Sequence, residues 1–379
     1  PEIKPIRAWR YSEEYKKDIE ELTSPLFDVV SEKQRAKLYQ NPLNSIHLSV
    51  PKGDNPFEEA RNTFNNWIEK GILEKDPIPG IYVYYQYFSL PGSNNEYCRK
   101  GFICNIKAHY WEENKILRHE NTIPKAVNDR IQLLETTKLN VSPTHGLYQD
   151  DDFILEKYMD ESMKNPIYET EDYQGVRDVL SVIHDYEIIN KFQKTIKGRP
   201  IILADGHHRY ESSLAYRKKK EEENPDSDGT ETYNYHLIYL TNSSSDHLRV
   251  LPTHRIVKDL DNFEKEEILE KLTEYFTIRE LEDPYSINEI IMGKKHAFGL
   301  IFKDSFYKIR LIEGMAEKIS WKFPDIVKHL DLTVLHYYFI EKVLGIKGKD
   351  QRADDHLEFE RHFSTCLSKV MNSEAQIAL

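Results

Sequence analysis

The stretch IILADGHHRYESSLAYRKKK, Ile201 to Lys220, constrains the fold of this chain more than any other. Ile201, Ile202 and Leu203 form a short apolar run that reads as a buried strand before a turn. Asp205 and Gly206 break that run, glycine being free to take backbone angles that cost other residues energy. Tyr210, Leu214 and Ala215 then recur at helical spacing, which predicts an amphipathic helix with His207, His208 and Arg209 in its first turn. A helix start leaves backbone N–H groups without intrahelical partners and carries partial positive charge, so it attracts anions. Two imidazoles and a guanidinium there are unfavourable unless an anion compensates them. The stretch reads as a phosphate clamp in which Gly206, His207, His208 and Arg209 bind. A capped structural turn is the competing reading.

With 379 residues the chain has room for two domains, or for one with a large insertion. Its 39% hydrophobic and 31% charged content is that of an ordinary globular protein, and no apolar run approaches a membrane span. No secretory signal is visible, and a few residues are expected to precede Pro1. Cys98, Cys104 and Cys366 show no metal spacing and cannot all pair, which fits a reducing cytoplasm. The net charge of −12 argues against a nucleic-acid surface but leaves room for a small basic pocket that takes a nucleotide.

Other segments carry further candidates. Ile3 to Trp9 reads as a first strand. In TSPLFDVVS, Asp28 stands among apolar residues, as a hydrogen-bonded structural carboxylate or a site residue with a shifted pKa. Residues 31–40 and 57–70 read as helices, the second with a core stripe of Phe57, Ala60, Phe64 and Trp67. Ile81 to Phe88 and Arg99 to Ala108 read as a hairpin. His119, Glu120 and Thr122 precede a helix beginning at Pro124, where a His beside a Glu can supply or orient a general base. The competing reading is a charged helix start capped by Thr122. Asp150, Asp151 and Asp152 read as solvated loop acids before a hard-cation site. Thr253, His254 and Arg255 in VLPTHRIV unite a hydroxyl, an imidazole and a guanidinium as a second anion-binding set. From Phe263 a second α/β region follows, with strands near 296–303 and 305–312 and a helix from Leu332 to Leu344.

ADGHHRYE, VLPTHR, SPLFDVV and HENT together resemble a bacterial and archaeal family of unknown function marked by an ADGHHRYE-type signature, over essentially the whole chain. That family usually reads PPYDV where this chain has Ser24-Pro25-Leu26-Phe27-Asp28-Val29, which keeps Asp28 and alters what precedes it. It usually continues to an MPxKST segment, so a chain ending at QIAL is expected to be truncated. More remotely, Asp205 to Arg209 resembles the phosphate-binding motif of the ParB and sulfiredoxin fold, which includes the free serine kinases. The resemblance implies that Gly206, His207, His208 and Arg209 hold phosphates and that Asp205 holds Mg²⁺ or the acceptor. It leaves Glu120 or Asp28 as the catalytic carboxylate.

The expected architecture is α+β: a ParB/sulfiredoxin-like core over residues 1–257 with an insertion at about 57–150, then a C-terminal α/β lobe over 258–379. The expected function is nucleotide-dependent phosphoryl transfer to a small hydroxylated metabolite, serine or phosphoserine being one option, with Mg²⁺ and ATP or ADP. In that reading Asp205, Glu120, Asp28 and His208 are catalytic, and Thr253, His254 and Arg255 close on the same pocket as Asp205 to Arg209. A nucleotide-binding or DNA-associated ParB-type regulator and a metal-dependent phosphatase are the alternatives. The expected partners are a nucleotide and a small substrate, with no membrane; the sequence sets no oligomeric state.

Overall fold

In the computed structural model, which describes residues 1–25, 32–90, 95–118, 122, 124–172, 175–249, 253–351 and 354–379, the runs Ile81–Ser89 and Glu96–Lys107 pair antiparallel as a hairpin. Their β-branched and aromatic residues favour the pleated, half-buried surface they occupy. They are central to a mixed sheet of nine described strands. Its order is Ile116–Leu117, Ile201–Asp205, Thr144–Tyr148, Tyr235–Asn242, Glu96–Lys107, Ile81–Ser89, Arg177–Ile183 and Tyr168–Glu171, with Ile3–Lys4 added on Glu96–Lys107. Two pairings are parallel: Ile201–Asp205 with Ile116–Leu117, and Tyr235–Asn242 with Thr144–Tyr148.

Strand side chains alternate between faces, and this decides where the core sits. Val83, Tyr85, Phe102, Cys104, Ile238 and Leu240 are buried in one cluster. Helices cover it: Met159 from Glu156–Ser162, Phe192 and Ile196 from Tyr186–Lys197, and Tyr210 and Leu214 from His207–Glu223. Asp185 starts the helix Tyr186–Lys197 by accepting a bond from Ile188 N, a standard N-cap. Ala60, Phe64 and Trp67 of Pro56–Glu69 are buried as the stripe predicted, Phe64 and Trp67 in a satellite cluster with Tyr11, Leu73 and Tyr168.

The expected first strand is broken. Ile3–Lys4 joins the large sheet, Ile6 bridges Gly80, and Trp9–Tyr11 pairs with Leu73–Lys75 in a separate ladder. Pro5 lies at the break, where its missing N–H prevents a continuous ladder. The acidic tip is not simply solvated either. Asp150 is buried and accepts bonds from Arg199 Nη2 at 3.1 Å and from Ile154 N at 2.8 Å.

The chain divides after Arg249. The second unit, Val250–Leu379, holds an antiparallel sheet ordered Phe276–Leu281, Phe306–Leu311, Ala297–Ile301, Ile377–Ala378, His254–Val257 and Leu357–Glu360. His254–Val257 therefore belongs to this unit and not to the end of the first, because its ladder partners lie some hundred residues further along the chain. The apolar ending at Ile377–Ala378 is a buried strand between two others. The helix expected from Leu332 begins as Asp331–Val334 and continues as a π-helix over Leu335–Val343, buried through Leu335, Tyr338, Phe339 and Ile340. The architecture is α+β. Among the described residues no helix is long and apolar enough to cross a membrane.

Phe192 is fully buried and meets Phe102 edge to face at 4.8 Å. Phe192→Ala is expected to lower the unfolding free energy by about 3–5 kcal/mol, read from urea denaturation.

Candidate functional site

The site begins where Ile201–Asp205 ends. Ile201 and Leu203 are buried, whereas Ile202 is 45% exposed, so the strand alternates. A register shift between Leu203 and Asp205 sets Asp205 opposite His145. Gly206 follows with φ 87° and ψ 28°, in the left-handed region. A Cβ there would lie 2.7 Å from Thr144 Cγ2 and 2.9 Å from Arg209 Nη2, so conformation and space both require glycine. The helix His207–Glu223 starts at once, with no acid in its first turn and no side-chain cap. This is the predicted strand, turn and helix, with His207 buried and His208 half-buried.

Arg209 turns inward. Its Nη2 donates to Asp205 Oδ2 at 2.7 Å, and its Nη1 donates to Ser142 Oγ at 3.1 Å and to Pro143 O. The guanidinium fork thus ties the turn to the segment entering the neighbouring strand Thr144–Tyr148. The sequence reading makes Arg209 a direct phosphate donor; in the structure its fork is engaged by protein acceptors. Asp205 keeps Oδ1 clear of that bond, and its side chain is 45% exposed.

Beyond Asp205 the face opposite the helical core carries a polar row that sequence reasoning missed. Register places Asp205 beside His145, His145 beside Tyr239, Thr241 beside Gly101, Tyr84 opposite Gly101, and Gln86 between Arg99 and Asp178. His145 Nε2 lies 2.8 Å from Thr241 Oγ1, and its ring is 5.2 Å from that of Tyr239. Tyr239 donates to Tyr84 O, and the two rings are 5.3 Å apart. Tyr84 Oη and Gln86 Nε2 both donate to Asp178 Oδ1, at 2.6 and 2.9 Å, while Arg99 Nη2 donates to Gln86 Oε1. Arg99 Nε is buried with no acceptor among the described residues. Gly101 keeps the row tight, since a Cβ there would meet Leu240 O and Tyr239 Cε2 at 2.5 Å. The available signal was polar residues at alternate positions of an apolar strand, Tyr84 with Gln86; only the register aligns them with Arg99 and Gly101.

Burial sets the protonation of this surface. It pushes the Asp178 carboxyl above its ordinary value, against the two bonds it accepts. Burial, with the charge of Arg99, holds His145 down at about 3. His236, bonded to Ser213 and Thr144 behind the turn, is likewise held at about 3 by burial and the charge of Arg209.

Asp28 and Glu120 lie outside the described residues, as does His119. Thr253, His254 and Arg255 stand in the second unit and do not form one set. Neighbouring strand residues face opposite ways: His254 packs 5.9 Å from Phe363, whereas Arg255 turns to His336 and Phe359. Among the described residues no group of three or more His, Cys, Asp or Glu side chains is placed to hold a metal ion.

Two outcomes follow from this geometry. Gly206→Ala is expected to cost about 1–3 kcal/mol from the forced left-handed residue, and Arg209→Lys a similar amount because the fork to three acceptors is lost; denaturation of both variants measures this. Stability should also fall with acid. Above pH 6.5 His145 and His236 are neutral whether folded or not. As pH falls, the unfolded chain takes up protons that the folded one refuses until about pH 3, so stability is lost through that window. The slope reaches about 1.4 kcal/mol per pH unit for each histidine. His236→Asn should flatten the profile between pH 6.5 and 4, and an unchanged slope would contradict the assignment.

A conserved hypothetical protein from Pyrococcus furiosus is similar in structure at 12% identity, covering 73% of this chain and 78% of its own, with a TM-score of 0.32. Two variants of a free serine kinase in complex with AMP show 11% and 12% identity and TM-scores of 0.33, covering 73% of this chain and 75% of theirs. No curated protein matches the chain. A family model does match residues 3–333, and the chain belongs to that family, described as protein of unknown function (DUF1015).

Proposed function

We propose that the chain is a nucleotide-dependent phosphotransferase acting on a small hydroxylated metabolite. The observation that carries this reading is the turn at Gly206, a left-handed glycine joining a buried strand to a 17-residue helix whose first turn has neither acid nor side-chain cap. Such a start favours a phosphate through aligned N–H groups and the helix dipole. In this reading the segment is a ParB/sulfiredoxin-like core motif. His207, His208 and Gly206 border the phosphates, Arg209 positions Asp205, and Asp205 meets Mg²⁺ carried by ATP or ADP.

The polar row gives the rest of the ligand a place. Asp205 to Asp178 spans five strand spacings, roughly 24 Å at about 4.8 Å each, enough for a nucleotide and an acceptor laid across the strands. Arg99, with its buried Nε, offers a charged donor to an anionic group. Asp178, with its proton affinity raised by burial, is the described carboxylate suited to take a proton from an acceptor hydroxyl; Glu120 and Asp28 remain the sequence's candidates for that role. Transfer then depends on positioning and charge stabilisation, which this surface supplies without a covalent intermediate. The three described cysteines are buried and free, which fits a cytoplasmic setting.

Titration calorimetry with ADP and ATP, with and without Mg²⁺, tests the reading. Binding is expected in the wild type, with Arg99→Met weakening it by about 1.5–3 kcal/mol, the range for a charged hydrogen bond. Asp178→Asn is expected to keep nucleotide binding and lose transfer to a hydroxyl acceptor followed by phosphorus NMR. A folded wild type that binds neither nucleotide at millimolar concentration rejects the proposal.

A further inference from the structure

A second place for an anion lies in the other unit and depends on different residues. Arg255 is buried, at 6% exposure, on the strand His254–Val257. Its Nε donates to His336 Nε2 at 3.0 Å, its Nη1 donates to Thr253 O, and its plane lies 5.2 Å over Phe359. Every one of these partners is neutral. His336 accepts at Nε2, so its proton is on Nδ1, which lies 2.6 Å from Gln351 Oε1. Gln351 is anchored in turn by donating to His336 O and Ile346 O. The imidazole is therefore held as an acceptor towards the guanidinium and does not share its charge.

Buried guanidinium groups are ordinarily matched by a carboxylate, because an unpaired buried charge is costly. This chain has 64 acidic residues, yet among the described residues none pairs with Arg255, and its Nη2 has no protein acceptor. The other arginine buried among the described residues, Arg209, does have its acid, Asp205. Burial also draws the Arg255 pKa down to about 10, with no opposing carboxylate to hold it up. His336 sits in the first turn of the π-helix Leu335–Val343, a rare geometry that recurs at functional sites, and this geometry presents it to Arg255.

We propose that Arg255, oriented by His336, is the cationic centre of an oxyanion subsite in the second unit, taking a carboxylate or a phosphate through the unoccupied side of its fork. The subsite does not rely on the Gly206 turn, so either proposal can fail alone. The fork suits two oxygens of one group, and Phe359 and His336 confine it to a single plane.

Hydrogen exchange followed by mass spectrometry on the full chain tests this, with inorganic phosphate and acetate as probes and chloride at matched ionic strength as the control. Peptides covering His254–Val257 and Leu335–Val343 report on this subsite, and peptides covering His207–Glu223 report on the other. An anion at ten times its Kd should slow exchange of the second-unit peptides about tenfold where they open by local unfolding that releases it. Slowing by phosphate alone, acetate alone or both identifies the oxyanion. Arg255→Gln should abolish the effect; Arg255→Lys, which keeps the charge and loses the fork, should weaken it, and this second variant serves if the first does not fold. Wild-type peptides unmoved by both anions, or slowing that survives undiminished in the variant that folds, would overturn the subsite.

Discussion

The bond between Arg209 and Asp205 holds the first unit's site together. The two residues are one helical turn apart, and between them stands Gly206, whose left-handed backbone lets the chain reverse from strand to helix without lifting away from Thr144. Arg209 also reaches Pro143 O and Ser142 Oγ, so one guanidinium joins the strand end, the helix start and the approach to the adjacent strand. A lysine has the charge but cannot bridge three acceptors in one plane. With this fork engaged, the electrostatics left at the turn come from the helix start itself and from the exposed side of Asp205.

The large sheet has two unlike faces because its strands alternate. One is filled by Phe102, Tyr85, Leu240 and the helices over them. The other carries His145, Tyr239, Tyr84, Gln86, Arg99 and Asp178 in mutual contact. Such a row is expensive to bury unless its members satisfy one another, and most do. Among the described residues Arg99 Nε is left without an acceptor. The second unit repeats the theme in another form: a buried arginine whose partners are an imidazole, a carbonyl and a ring, with no carboxylate among the described residues.

The strand, turn and helix at Ile201 to Glu223 were readable because each step rests on local chemistry: an apolar run, a glycine, then helical spacing. The hairpin and the core stripe of Pro56–Glu69 were readable for the same reason, their periodicity being a property of neighbouring residues. Pro5 broke a strand that alternation alone had extended, and the run after Leu335 kept its apolar pattern while changing its hydrogen bonding to a π-helix.

Local sequence dictates that a glycine must stand at 206 and that cationic residues crowd the helix start behind it. It does not dictate where their charges go. Asp205 is a local partner of Arg209, but the rest of the fork goes to Ser142 and Pro143, which only the segment entering the neighbouring strand brings within reach. His254 and Arg255, adjacent in the chain, part company because a strand sends successive side chains to opposite faces. Arg99, Gln86 and Asp178 are separated by as many as ninety-two residues along the chain, and they meet because ladder register sets them side by side. Periodicity is written in neighbouring residues, whereas register comes from pairing between distant ones, and that pairing forms only when the strands assemble.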